Sequence, residues 1–165
     1  VSTNEKRKTP VKPSFVGKLK EAIVKELKTG ISPEKIALSL VLGGAIGVFP
    51  LIGTTMALAA VFGFLLRLNP ISVQLANYAM YPLQIFLLIP FLEFGARLSG
   101  TRPDLEWAYR FVDGDPSLLW KGLVDSALYA VVGWGSTVPA LSFATYFVVL
   151  PLVKKIDRIV RKDSL

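Results

Sequence analysis

Residues 36–66 read IALSLVLGGAIGVFPLIGTTMALAAVFGFLL, a run of 31 positions without a charge. One membrane-spanning helix needs about 20 apolar residues at ~1.5 Å each, so the run is too long for one simple span. At its centre stands Gly43-Gly44-Ala45-Ile46-Gly47-Val48-Phe49-Pro50-Leu51-Ile52-Gly53-Thr54-Thr55. Pro50 brings no backbone donor, and the glycines permit turns that a continuous helix does not tolerate. A break between Phe49 and Gly53 is expected, with Thr54 and Thr55 placed to cap a second half-helix. Two half-helices meeting there would form a re-entrant hairpin, which is tolerated at membrane depth only where protein or a wet cavity covers the backbone. A single tilted span is the alternative.

Two further apolar stretches follow. Leu68 to Leu92 is uncharged, carries Pro70, Pro82 and Pro90 together with Asn69, Gln74, Asn77 and Gln84, and is expected to cross once with a kink near Tyr81-Pro82. Ser126 to Val153 contains Gly133-Trp134-Gly135-Ser136-Thr137-Val138-Pro139. Aligning Gly47 with Gly133 puts a Gly-, Pro- and Thr-containing interruption in each half, the pointer for a transporter-like internal repeat. The expected fold class is therefore an all-α membrane protein: an amphipathic N-terminal helix plus three long apolar segments, two of them broken by Gly and Pro.

Working outward, Phe15, Leu19, Ile23 and Leu27 recur every four positions with lysines and glutamates mostly between them, which reads as an amphipathic helix. It is expected in the headgroup plane with its apolar face down; packing on the domain's cytoplasmic surface is the competing account. Gly30 supplies a stop, and Ser32-Pro33-Glu34 a fresh start, with Ser at the cap and Pro at the first helical position. The organisation is then a basic disordered arm at 1–13, an interfacial helix at 14–30, a membrane domain at 31–153 and a basic tail at 154–165. Nine Lys or Arg against four acids precede Ile36, and five against two follow Val153. The positive-inside rule puts both ends in the cytoplasm, while the loop from Arg97 to Pro116, where acids outnumber bases, falls on the far side. The basic opening lacks an early apolar core and does not read as a secretory signal.

The chain has no cysteine and no histidine, which removes disulfides, thiol nucleophiles, a Ser-His-Asp triad and the common soft metal ligands. No cofactor or metal is expected. The net charge of +7 flanks apolar spans, with no aromatic-interleaved basic sheet or recognition helix, so nucleic acid is not the expected partner.

The run Gly47-Val48-Phe49-Pro50-Leu51-Ile52-Gly53, the alanine-rich stretch to Arg67-Leu68-Asn69-Pro70 and the upstream Ser32-Pro33-Glu34-Lys35-Ile36-Ala37 resemble the bacterial family known as domain of unknown function two-zero-six-two, over about Ser32 to Gly100. Where the family usually has a Trp and then Asn-Pro-x-Thr, this chain offers Asn77, Tyr78 and Tyr81-Pro82-Leu83-Gln84. The resemblance implies a small multi-span protein of the bacterial inner membrane, sometimes attached to glycosyltransferase-like domains, with no established reaction and a loose link to envelope lipids or glycans.

Candidate site residues carry two readings each. Arg67 either anchors at the interface or lines a polar cavity. Asn69 either satisfies backbone groups at a helix junction or, with Arg67, binds an anionic headgroup such as a phosphate. Glu93 and Asp125, at the ends of apolar stretches, either mark boundaries or act by pairing with Arg67, Arg97 or Lys121 or by serving as a proton-coupling site in a transporter. The breaks at Gly47, Phe49, Pro50 and Gly53 and at Gly133, Gly135 and Pro139 either bring half-helix N-termini together as an anion site, or pack helices through small residues; Thr54 and Thr55 are ligand-binding candidates as well as caps. Trp107, Trp120, Tyr109 and Tyr129 read as an aromatic belt. The leading function is transport or handling of an anionic lipid or polyprenyl-phosphate headgroup by a homo-oligomer. The alternative is a non-catalytic membrane anchor or partner of an envelope-biosynthesis enzyme, and an enzyme ranks third.

Overall fold

The computed structural model describes residues 15–102, 105–115 and 117–162, whose regular elements are all helices. They are α1 (Phe15–Lys28), α2 (Pro33–Gly47), α3 (Thr55–Leu65), α4 (Pro70–Ala79), α5 (Tyr81–Leu98), α6 (Glu106–Val112) and α7 (Leu119–Lys162). Two are long and apolar enough to cross a membrane: α5, and α7 over Val124–Lys162; α3 is a shorter apolar helix. The arm expected at 1–13 lies outside the described residues, as do Asp104 and Pro116 of the loop and the last three residues of the tail.

Local chemistry sets these boundaries. Ser32 caps α2 by accepting the Lys35 N–H at 3.4 Å, and Pro33 opens the helix. The helix ends at Gly47, and residues 48–54 form a turn in which Gly53 has φ +89°. Thr54 stands at the N-cap of α3, but its hydroxyl donates backward to the Leu51 carbonyl at 2.8 Å. The expected capping of α3 by Thr54 is therefore absent, because the hydroxyl closes the preceding turn; Thr55 is the buried first residue of the helix. At its other end α3 stops in a Schellman turn, Leu68 N–H to Gly63 O at 2.8 Å and Arg67 N–H to Phe64 O at 3.0 Å. Arg67 holds the left-handed position at φ 51°, usually glycine's.

The chain direction follows from which residues touch. A Cβ on Gly47 would come within 2.7 Å of the Asn77 carbonyl oxygen, and one on Gly43 would strike the Val73 carbonyl, so α2 and α4 run side by side in the same direction. Between them α3 returns, placing Ala59 with Ile46, and Leu68 with Val73. Met80 separates α4 from α5, with Pro82 in the first turn of α5 where no donor is needed. The stretch expected as one span kinked near Tyr81-Pro82 is thus two helices. Helix α5 then packs antiparallel on α7, Gly95 against Tyr129 and Gly133 against Phe91. Helix α2 lies against α7 from Trp134 beside Ala45 to Lys154 beside Glu34.

A further expectation is corrected. Gly133, Gly135 and Pro139 do not break the last segment: α7 is one helix of 44 residues. Pro139 removes the donor for only one carbonyl, while Thr137 Oγ1 donates to Gly133 O at 2.8 Å and Ser136 Oγ to Val132 O, helical back-bonds that keep the hydroxyls inside the helix. Gly133 serves close packing on α5 and not a turn. The two-fold repeat of broken segments is accordingly not present.

Candidate functional site

The basic ends of the chain meet. Ile23 and Leu27 of α1 join Ile36 and Ala37 of α2 and Val153 of α7 in one buried cluster, and Lys154 Nζ lies 2.8 Å from Glu34 Oε1. Lys18, Lys20, Lys25 and Lys28 remain exposed on α1. Helix α1 is also fixed to α4: the Ser72 hydroxyl donates to Glu26 Oε1, while Oε2 is buried with no partner among the described residues. Ser72 is in the first turn of α4, so the carboxyl faces a helix N-terminus.

Burial raises the Glu26 pKa above the usual carboxylate range, and the Ser72 hydrogen bond opposes the shift without cancelling it. A raised folded-state value means that the contribution to stability is complete below the ordinary range and is lost as pH rises through the raised value. Glu26→Gln should therefore match wild type in acid and become progressively more stable than it toward neutral pH. Melting curves across that range check this; a constant offset would show that Glu26 is not held in its protonated form.

An open groove of about 720 Å³ lies between α2, α4, α5 and α7. Its floor is small or aliphatic, with Gly44, Ala45, Ala76 and Ala79 letting the helices part, and Leu87 and Val138 among its walls. Only Thr137, Ser142 and Thr145 bring hydroxyls, and Thr137 and Thr145 donate theirs to α7 carbonyls at 2.8 Å. On α7 the groove spans Thr137 to Val149, about 18 Å at 1.5 Å per residue.

Beyond the groove, the tip of the α2–α3 turn rests on α7. Phe49 and Trp134 stack edge to face with centroids 5.0 Å apart. Trp134 Nε1 donates to Ala45 O at 3.1 Å, and the buried Gln84 Nε2 donates to Phe49 O at 2.6 Å. Pro50, Leu51, Ile52 and Thr54 line a smaller cavity of about 260 Å³ with Leu88 and Trp120 among others. Thus the first motif and the Gly133–Pro139 region do come together, one as a turn and the other as an uninterrupted helix.

The remaining expected residues are dispersed. Arg67 is exposed, and no carboxylate lies within ion-pair distance among the described residues. The Asn69 carboxamide oxygen accepts from Ile71 N at 2.8 Å and Ser72 N at 3.4 Å, capping α4. Neither lines the groove. Glu93 pairs with Arg97 one turn on, at 3.5 Å, and Asp125 is exposed on α7; the cavity that Glu93 borders does not include Asp125. Trp120 and Tyr109 are exposed as a belt requires, but Trp107 is 6% exposed and packs on Gly122, so it belongs to the core. Glu26, Gln84, Trp134 and Gly44 were not among the expected site residues. A polar side chain inside an apolar run, as Gln84 is, was the available signal, since such a group needs an internal partner.

Among the described residues no cluster of acids could hold a metal ion. No curated protein and no solved structure matches the chain. The model of the family described as "Uncharacterized protein conserved in bacteria (DUF2062)" matches residues 18–162, most of the chain, and the protein belongs to that family.

Proposed function

We propose that this protein is an integral protein of the bacterial inner membrane that takes the hydrocarbon chain of an anionic lipid into its lateral groove. The observation that carries the reading is the groove itself. Its volume of about 720 Å³ falls in the range of small-molecule sites, roughly 300–1,000 Å³. Its walls offer almost no polar surface with which a soluble ligand could be oriented. Its length matches about one leaflet of a ~30 Å hydrocarbon core. In this reading α5 and α7 cross, the α2–α3 turn is a re-entrant hairpin, α1 lies at the headgroup level, and both basic ends are cytoplasmic. The exposed tip residues Ile52, Gly53 and Thr54 need cover at membrane depth, which a second copy would supply.

Gly44→Leu is the test. A Cβ there meets only Met80 Cγ, at 3.8 Å, so the new side chain fills the groove without disturbing the α2 backbone. Lipid retained by the detergent-purified protein, counted by native mass spectrometry, should fall about tenfold at unchanged melting temperature; unchanged retention sinks the reading. Because the chain lacks cysteine, Ser99→Cys and Lys162→Cys report topology without background. Impermeant thiol reagents should reach Ser99→Cys from the periplasm and Lys162→Cys only after the inner membrane is opened; labelling of both from one side would reject two crossings.

A further inference from the structure

Along α7 the groove residues Val138, Leu141, Thr145 and Val149 are followed, at the same three- and four-residue spacing, by Leu152, Ile156 and Ile159. That spacing keeps one helix face. The later three line a second cavity, a crevice of about 500 Å³ between α1 and α7, whose other walls include Val24 and the lysines Lys20, Lys28 and Lys155. Leu19 of α1 borders the groove and its neighbour Lys20 borders the crevice. The apolar groove and the basic crevice thus lie in succession along α7, with neighbouring residues of α1 bordering each.

We propose that this crevice is the headgroup site for the lipid whose chain occupies the groove, and that Lys20, Lys28 and Lys155 bind its phosphate. The inference rests on the groove reading above and adds the chemistry of the head: an anionic glycerophospholipid drawn from the cytoplasmic leaflet. Charge complementarity selects that occupant. Among the described residues no acid lines the crevice. Two carboxylates of the adjoining helices are engaged elsewhere, Glu34 with Lys154 at 2.8 Å and Asp157 with Arg161 at 3.0 Å, whereas the three lysines have no ion-pair partner among the described residues. Their ammonium groups come from two different helices, so a bound phosphate would bridge α1 to α7. The aliphatic floor of Val24, Leu152 and Ile156 suits the glycerol ester region better than a hydrated free anion. Arg67 and Asn69, the other candidates for a headgroup, open on neither cavity.

The experiment uses the full chain in detergent with three probes: dioleoyl phosphatidylglycerol, uncharged dioleoyl glycerol, and glycerol 3-phosphate, a soluble glycerol phosphate without acyl chains. Wild type should retain phosphatidylglycerol over dioleoyl glycerol by about tenfold or more, since each lysine near an anionic lipid adds attraction that salt weakens, and should not retain glycerol 3-phosphate. Lys20→Gln, Lys28→Gln and Lys155→Gln combined should bind both lipids equally, as exposed Lys-to-Gln changes leave the helices intact. Gly44→Leu should lose both lipids. If the triple variant keeps the wild-type preference, or wild type shows none, the headgroup site is wrong while the groove stands. Retention of both lipids by Gly44→Leu overturns the groove reading itself. Glycerol 3-phosphate competing as well as the lipid would make the crevice a site for a soluble anion and overturn the assignment to lipid.

Discussion

Gly133→Ala should destabilise the protein by about 3 kcal/mol, the upper end for forcing extra volume into a packed interior, lowering the melting temperature by roughly 6–12 °C for a chain of this size. The reason is geometric. An added methyl would be driven into the Phe91 carbonyl, which is backbone and cannot swing aside as a flexible side chain can. The opposing contact is reciprocal: a Cβ on Gly95 would strike the Tyr129 carbonyl and lie 2.8 Å from the Gly133 nitrogen. Both glycines therefore set one helix separation, and Gly95→Ala combined with Gly133→Ala should cost less than the two effects added, because one displacement of α5 relieves both. Gly135 is the internal control. Nothing lies within 4 Å of its Cβ position, so Gly135→Ala should gain up to about 1 kcal/mol from helix propensity alone. Opposite signs two residues apart, read by thermal unfolding in one detergent, test the antiparallel α5–α7 crossing; melting of Gly133→Ala at the wild-type temperature would show that the helices are not in backbone contact there.

The same pair of glycines shows where the sequence could and could not be read. The first break was legible because Gly47, Pro50 and Gly53 fall in a run too long for one simple span, which made a reversal the leading expectation beside a single tilted span. The second set, Gly133, Gly135 and Pro139, has the same composition and a different use. What decides it is the backbone of Phe91 and Tyr129, brought up from far away in sequence, and no local pattern records that. Where backbone hydrogen bonds have no water to turn to, a helix also keeps its internal bonds through a proline in preference to opening.

The candidate site was less legible still. Arg67 and Asn69 stand out chemically in the sequence, yet the structure gives Asn69 to the cap of α4 and places Arg67 at an exposed left-handed turn. The groove has no such signature. Gly44, Ala45, Ala76 and Ala79 are ordinary residues for an apolar helix, and only the assembly of α2, α4, α5 and α7 turns their small size into a cavity. Glu26 was masked in a different way. It falls beside the apolar face that carries Ile23 and Leu27, where the alternation of charge suggested a solvated position, and only the approach of Ser72 shows it to be interior.

Trp134→Ala should cost about 3 kcal/mol or more, as large-to-small changes at packed aromatics do, and should free the tip of the α2–α3 turn. Three interactions converge there. The edge-to-face contact of Trp134 with Phe49 contributes about 0.5–1.5 kcal/mol beyond burial. The indole N–H serves the Ala45 carbonyl, whose ordinary helical donor, the Phe49 N–H, is instead bonded to Ile46 O at 2.9 Å. Gln84 does the corresponding service for the Phe49 carbonyl. The last turn of α2 thus ends among apolar side chains with its carbonyls satisfied from α7 and α5, where an orphaned acceptor costs about 1–3 kcal/mol. Trp134→Phe separates the terms: it preserves a ring against Phe49, removes the donor, and should lose only about 1 kcal/mol. Since the chain has no cysteine, thiol labelling of Ile52→Cys reads the tip directly. Labelling should quicken with Trp134→Ala at temperatures where α5 and α7 remain folded, and should quicken less with Trp134→Phe. Equal labelling and equal melting in all three proteins would mean that the turn is held by the α2–α4 contact alone, and the Trp134 lock would have to be abandoned.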